Sequence, residues 1–455
     1  MTGQDEERRA RYFDGREFVP PRLAEQIARL VELRKGFDKE LWVKDREIWR
    51  PWGDTAVEWH VKDFLREKFR RRHLAEVLAY LKAGPVELDG SAPPENRLPV
   101  ANGFLDLDDL TLRESPSGEA FFHRLPVAWV PGAECPAIDA FLSEVLPADA
   151  VGFFWEAIGM SLVPTQRFRR AVMLIGPGGN GKSVALKVWK ALLGHENVSS
   201  VTLQELSEDK FAKAELVGKL ANIAGDLDAR PVAKSEAFKT ITGGDLITAE
   251  RKYGQKFRFE PYATLVFSAN EWPATHDQTE AFFTRWVALP FSATFREGSA
   301  DLGPGERRAD PKLGDRLTRR SELEGALVKA VRGAIRLRER GGFDLPRSVR
   351  ESVQEYRQWA DTVMAWTAEE VSPSPNGQVS RKLVYTTYKE WADAMGMRPV
   401  SAKKFWPRFR ELLERDGGDL EEVTVQGERR VTGVTVGRLG ENLGGNRLTR
   451  MIERD

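Results

Sequence analysis

Residues 171–184 read AVMLIGPGGNGKSV, and no other stretch restricts the fold of this chain as much. Ala171 to Ile175 is a short apolar run of the buried-strand type. Gly176-Pro177-Gly178-Gly179-Asn180-Gly181 is a turn, and helical spacing of apolar residues runs from Ser183 to Leu193. Strand, glycine-rich turn and helix in this order bring successive backbone N–H groups and the positive end of a helix dipole to one point, which is a phosphate site. Lys182 would reach the β- and γ-phosphates of ATP, and the Ser183 hydroxyl would take one position on Mg²⁺, with Val184 next in the first helical turn. The expected class is α/β, built on a P-loop ATPase core.

Nucleotide binding alone does not name a reaction, so the downstream residues have to. Lys219 to Asp228, KLANIAGDLD, has the shape of an apolar strand ending in a carboxylate, the group that sits beside Mg²⁺ and orients the attacking water. Asp226 is the first candidate. Asp228 lies on the same side of an extended chain and is held in reserve, with a plain turn before Pro231 as its other reading. Tyr262 to Asn270 is a second apolar strand, and it delivers an amide where the strand ends. Asn270 is either a sensor of the γ-phosphate or a strand-end turn residue. Arg285, between Phe283 and Trp286, reads either as an arginine finger or as one half of a surface ion pair.

Composition excludes more than it assigns. With 455 residues the chain has room for two to four domains. Lys plus Arg and Asp plus Glu are equal at 69 each, so nucleic acid would have to be met by local patches rather than by a global field. One cysteine, Cys135, permits no internal disulfide, and five histidines without clustered Cys/His spacing argue against structural zinc. No apolar run reaches the length of about 18 residues that spans a bilayer, and the charged start lacks the core of a secretory signal. The expectation is a cytoplasmic protein of a host cell, taken as bacterial, with no membrane contact.

The order of motifs, GPGGNGKS, a short acidic strand, ITGGD with ERKY, then FSAN and TRW, resembles that of a superfamily 3 DNA helicase, in the primase-helicase family of phages, plasmids and poxviruses. The resemblance extends upstream through LPVANGFLDL at 98–107 and the stretch from Pro126 to Pro136. It implies an AAA+-like core and a homo-hexameric ring that threads one DNA strand and hydrolyses ATP at subunit interfaces. Carried onto matching positions, it gives Lys182 and Ser183 the Walker A roles, Asp226 the Walker B carboxylate, Asn270 the sensor role, and Arg285 the finger offered to a neighbouring subunit. One departure stands out: Gly225 precedes Asp226, where many nucleotide motors carry a second acid.

Two further segments point to DNA. From Asp245 to Phe259, two strand-like runs flank a turn whose tip carries Lys252, Tyr253 and Lys256; lysines with one aromatic ring suit a single-stranded backbone, although solvated hairpin ends also collect lysines. The resemblance implies that this hairpin lines the central channel. Beyond a linker-like VSPSPNG at 371–377, a helix over 381–395, a helix over 401–414 and a hairpin over 423–436 look like a winged helix. Phe405, Phe409, Leu412 and Leu413 share a core stripe in its second helix. That leaves Lys403, Lys404, Arg408 and Arg410 toward solvent or phosphate, a face that would equally serve protein docking. Pro407 kinks that helix or marks its true start.

The expected organisation is an N-terminal mainly helical collar (1–145), the ATPase core (146–300), a helical subdomain (301–372), the winged helix (376–440) and a tail (441–455). Trp42, Trp49, Trp52 and Trp59 are read as core or contact aromatics. Asp106 and Asp108 do not make a primase site, so the primase partner is expected on a separate chain. The leading function is a ring-forming replicative helicase acting on single-stranded and forked DNA. An origin-binding or loader-type ATPase and a scaffold with a structural ATP site stay open beside it.

Overall fold

The computed structural model describes residues 11–114, 118–227, 235–252, 254–273, 275, 277, 279–296, 298, 302–395, 397, 399–415, 421–425 and 427–437. Asp228, Tyr253 and the 441–455 tail therefore lie outside the described residues. The chain divides into two compact units, one of residues 1–229, 233–271 and 284–350, the other of residues 230–232, 272–283 and 351–455.

The first unit opens with α1 (Pro20–Leu30), the antiparallel strands β1 (Leu33–Lys35), β2 (Leu41–Asp45) and β3 (Ile48–Arg50), then α2 (Gly53–Leu65) and α3 (Arg71–Lys82). Leu23, Ala24 and Ile27 of α1 meet Val57 and Val61 of α2 and Val77 of α3 in one core, each fully buried. A second antiparallel sheet follows, β4 (Arg97–Val100), β5 (Gly103–Asp106) and β6 (Leu112–Arg113). The region expected to be mainly helical is thus mixed. Strands of two to five residues are too short for a period of two to register in the sequence. Trp42 and Trp49 are core, at 1% and 2% exposure, whereas Trp52 and Trp59 are exposed at 43% and 63%.

The central layer comes next, with α4 (Pro136–Val145), α5 (Ala148–Leu162), β7 (Ala171–Ile175), α6 (Lys182–Leu193), β8 (Val198–Ser199), β9 (Ala221–Ala224), α7 (Glu236–Gly243), β10 (Ile247–Glu250), β11 (Lys256–Phe259), β12 (Thr264–Ala269) and β13 (Trp286–Pro290). Five of these strands form an all-parallel sheet in the order β8-β9-β12-β7-β13. β7, β9 and β12 are buried at every position, as a parallel sheet covered on both faces requires. β10 and β11 pair separately as an antiparallel hairpin.

α8 (Arg320–Arg340) lies against α5, and glycines set how close they come. A Cβ on Gly333 would stand 2.4 Å from the Trp155 carbonyl oxygen, and one on Gly159 would stand 2.4 Å from the Ala334 nitrogen. α8 therefore shares the core of the sheet instead of belonging to a separate 301–372 subdomain, and the division between units falls inside α9 (Arg347–Ala360). The helical periodicity of this segment was legible. Its partner was not, because contact with α5 is a matter of tertiary packing.

In the second unit, α10 (Thr362–Glu370), β14 (Val371–Ser380), α11 (Arg381–Ala394), α12 (Ala402–Arg415), β15 (Glu422–Val425) and β16 (Glu428–Val436) enclose a core of Trp366, Tyr388, Phe405 and Phe409. The expected linker at 371–377 is part of a strand. β14 pairs antiparallel with β16, and the register shifts between Pro373 and Gln378, where prolines cannot donate to a ladder. Pro407 lies within α12, which continues past it. Trp272 stacks on Tyr356 at 4.1 Å between ring centroids, and the Tyr356 hydroxyl donates to the Pro273 carbonyl at 2.9 Å. Among the described residues, no helix is long and apolar enough to cross a membrane.

Candidate functional site

The glycine-rich loop leaves the C-terminal end of the central strand β7 and enters α6. Gly176 has φ 149°, and a Cβ there would stand 2.2 Å from the Phe291 carbonyl oxygen, so backbone conformation and space both demand glycine. Gly181, with φ 94°, forms the N-cap of α6, and no side chain caps that helix. The Lys182 N–H makes a long bond to Asn180 Oδ1 at 3.5 Å, and the amides of Ser183 and Val184 that follow are left to an anion or to solvent. Asn180 is buried and works inward: its Nδ2 donates to the Phe291 carbonyl at 2.9 Å, and its Oδ1 accepts from Lys182 Nζ at 3.0 Å.

Lys182 is 4% exposed. Its ammonium donates to the carbonyls of Gly176 and Pro177, to Asn180 Oδ1, and to Asn270 Oδ1 at 3.1 Å. Burial pulls its pKa below the usual lysine range, and Asp226 pulls in the opposite direction. A cation held on neutral oxygens in a partly desolvated place is suited to exchange them for a phosphate.

Asp226 and Asn270 follow β9 and β12, the strands next to each other on one side of β7. Asp226 has φ 50°, a left-handed conformation that aspartate tolerates better than most residues. Its N–H donates to Ser268 Oγ at 3.2 Å, while the Leu227 N–H donates to the Ser268 carbonyl at 2.8 Å. Ser268 thus shapes the turn that carries Asp226, a role the sequence did not reveal because the residue sits mid-strand. Ser183, Asp226 and Asn270 are exposed, and Val184 is half-buried. Ser183 and Asp226 are the groups available to hold a divalent cation here.

Arg285 is not part of this cluster. Its carbonyl accepts the Ala171 N–H at 2.7 Å, level with the first residue of β7, whereas Lys182 follows its last. The five residues of β7 span about 16 Å. Arg285 Nε donates to Thr242 Oγ1 at 3.0 Å. Arg170, not singled out from the sequence, lies beside it: burial and then the Arg285 charge lower its pKa, so two guanidiniums share this end of the sheet.

Lys252 and Lys256 are exposed at the tip and on the second strand of the β10–β11 hairpin. In the second unit Lys403 and Lys404 are exposed on α12. Arg408, expected to face solvent or phosphate, is instead held by Asp361 at 2.7 Å and Glu411 at 2.6 Å, and Arg410 is held by Glu422 at 3.0 Å. The spacing of α12 predicted which residues leave the core but not that Asp361 and Glu422, from outside the helix, would meet them. Asp106 pairs with Arg113 at 3.2 Å and Asp108 with Arg338 at 2.8 Å.

Mixed α/β architecture around a parallel sheet, with a glycine loop, a lysine, a carboxylate and an amide gathered at one end, defines the class of protein. Comparison with known proteins narrows it. Residues 23–147 match the family described as D5 N terminal like, and residues 174–285 match a family of unknown function, DUF5906. The chain is 23% identical over 332 residues to "Putative helicase 121R" of Invertebrate iridescent virus 3, covering 65% of this chain and 35% of that protein. It is 22% identical over 273 residues to "Putative helicase L207/L206" of Acanthamoeba polyphaga mimivirus, covering 56% and 28% respectively. It thus spans about a third of the length of these relatives. A solved structure, the apo form of the NrS-1 C terminal region, aligns over 91% of this chain and 98% of its own at 10% identity, with a TM-score of 0.48. The chain is thus similar to the D5 N terminal like family over residues 23–147 and, at low identity, to viral proteins named as putative helicases.

Proposed function

We propose that this chain is an ATP-dependent DNA helicase of the superfamily 3 type, with an AAA+-like P-loop core, that hydrolyses ATP between neighbouring copies of itself. The observation that carries the reading is the convergence of Lys182, Asn270 and Asp226 beside the glycine loop, with Arg285 a full strand length away. The loop amides and Lys182 would hold the phosphates, and Ser183 and Asp226 the Mg²⁺. Bound Mg·ATP supplies the phosphoanhydride whose cleavage drives the motor.

In this reading the residues divide the labour. Lys182 neutralises the terminal phosphates, Asp226 is the carboxylate beside metal and water, and Asn270 reads the γ-phosphate. Arg285 serves the pocket of the next copy, where a guanidinium stabilises charge developing in the transition state. The distance of Arg285 from its own loop supports this assignment, and Arg170 adds charge of the same sign at that end of the sheet. Lys252 and Lys256, together with Tyr253, would follow the nucleotide cycle along one DNA strand, and the second unit, read as a winged helix, would add Lys403 and Lys404.

The test is ATP hydrolysis with and without single-stranded DNA, followed by strand displacement on a forked duplex with a 3′ tail. Stimulation by DNA, loss of hydrolysis in Lys182→Ala, and displacement by the wild type are the expected results. Hydrolysis without displacement would favour an origin-binding or loader-type ATPase instead.

A further inference from the structure

The β10–β11 hairpin does not stand alone. Opposite its tip lies the tight turn between β1 and β2, closed by Lys39 N–H donating to the Gly36 carbonyl at 2.8 Å, with Lys39 itself at φ 64°. The side chain of Asp38 in this turn is fully buried. One of its oxygens accepts from the Trp42 indole at 3.0 Å and the Glu40 N–H at 3.2 Å; the other is bound by the guanidinium of Arg251, at the end of β10. A carboxylate so placed costs free energy unless its partner stays, so Arg251 is held firmly. Phe37 of the same turn reaches Phe257 and Phe259 of β11, with ring centroids 5.9 and 6.3 Å apart, and Arg251 covers Phe257 at 5.4 Å. Turn and hairpin are therefore joined by an ion pair, a hydrogen bond and ring contacts.

Three acids beside this surface are already engaged. Glu250 is paired with Lys210 at 3.1 Å, Glu40 with Lys82 at 2.5 Å, and Asp38 is spent on Arg251. Lys39 is exposed, and its Nζ donates to the Gln255 Oε1 at 2.6 Å, across the gap between turn and hairpin. A neutral amide fixes where that ammonium points without cancelling its charge. Lys252, Lys256 and Arg258 are exposed on the hairpin side. Phe257 and Phe259 face the turn, so Lys256 and Arg258 lie on the other face of β11, and the turn and hairpin cations come together at the tip, where Lys39 is fixed on Gln255, next in sequence to Lys256; cations so placed fit a phosphate backbone read without regard to sequence.

We propose that the Gly36–Lys39 turn is the second half of the nucleic-acid surface, with Lys39 a contact residue for the backbone of single-stranded DNA and Asp38 and Arg251 its positioning residues. This rests on the reading of the hairpin as a DNA element. The experiment is anisotropy of a labelled oligodeoxythymidine strand, titrated with the full chain at several salt concentrations. Lys39→Ala is expected to weaken binding roughly threefold to tenfold and to reduce the slope of log affinity against log salt by about 0.7, the signature of one lost phosphate contact. Lys39→Arg should keep both. Asp38→Asn should weaken binding while leaving the slope nearly unchanged, since no phosphate contact is removed; a thermal melt of each variant checks that it is folded. If Lys252→Ala and Lys256→Ala weaken binding but Lys39→Ala matches wild type in affinity and slope, the turn is not part of the surface and the hairpin reading survives. If none of the three changes the binding, or the wild type binds no strand, the hairpin reading falls and the inference with it.

Discussion

The position of Arg285 makes a quantitative prediction about mixed assemblies. Lys182 follows the last residue of β7 and Arg285 is level with the first, about 16 Å of strand apart, so one chain cannot bring both to the same phosphate. In the proposed two-chain pocket, Lys182 comes from one copy and Arg285 from the next, across a head-to-tail interface. Lys182→Ala alone should be inactive, and Arg285→Ala should lose a factor of about 10³ or more in turnover. When the two variants are mixed in equal parts, a pocket is restored wherever an Arg285→Ala copy meets a Lys182→Ala neighbour in the right order. Random assembly makes this about one pocket in four, so roughly a quarter of wild-type hydrolysis should return, falling away on both sides of equal mixing. The complementary mixture uses the double variant with wild type in equal parts. A shared pocket leaves about a quarter of wild-type activity, a pocket within one chain about half. Steady-state phosphate release is the assay, with co-assembly verified by light scattering. No recovery at any ratio in co-assembled variants, together with half activity in the second mixture, would refute the two-chain pocket.

Three other outcomes follow from the geometry. Gly176→Ala puts a Cβ 2.2 Å from the Phe291 carbonyl and a side chain at φ 149°; it should destabilise the first unit by about 2–4 kcal/mol in urea titration and abolish nucleotide binding. His123 is fully buried, burial and Arg50 lower its pKa to about 3, and neither ring nitrogen has a hydrogen-bond partner among the described residues. Its folded pKa lies below the unfolded value, so the unfolded chain binds the extra proton and stability falls as pH drops below about 6.5. The slope is about 1.4 kcal/mol per pH unit, and His123→Phe should remove that part of the acid sensitivity in denaturation at pH 7 and pH 5. Trp366→Ala, at the centre of the second unit, should cost about 3–5 kcal/mol, read as lost hydrogen-exchange protection in α11 and α12; protection equal to wild type would contradict the assigned core.

How much was legible in the residues follows a physical line. The strand, glycine turn and helix around Lys182 were readable because each depends on neighbours within a few positions: burial, left-handed backbone and helical spacing are local properties. The same holds for the runs ending in Asp226 and Asn270, and for the hairpin at 245–259. What the sequence could not order was the sheet. Only the parallel register of β9, β12, β7 and β13 brings Asp226 and Asn270 beside Lys182 and sends Arg285 to the far end, and pairing between strands tens of residues apart leaves no local periodicity. The short antiparallel strands near the N-terminus, the strand at 371–380, the union of α8 with α5, and the loss of Arg408 to Asp361 all belong to that second category. Each was decided by which surfaces could be buried together, a long-range competition in which a local preference is only one contributor.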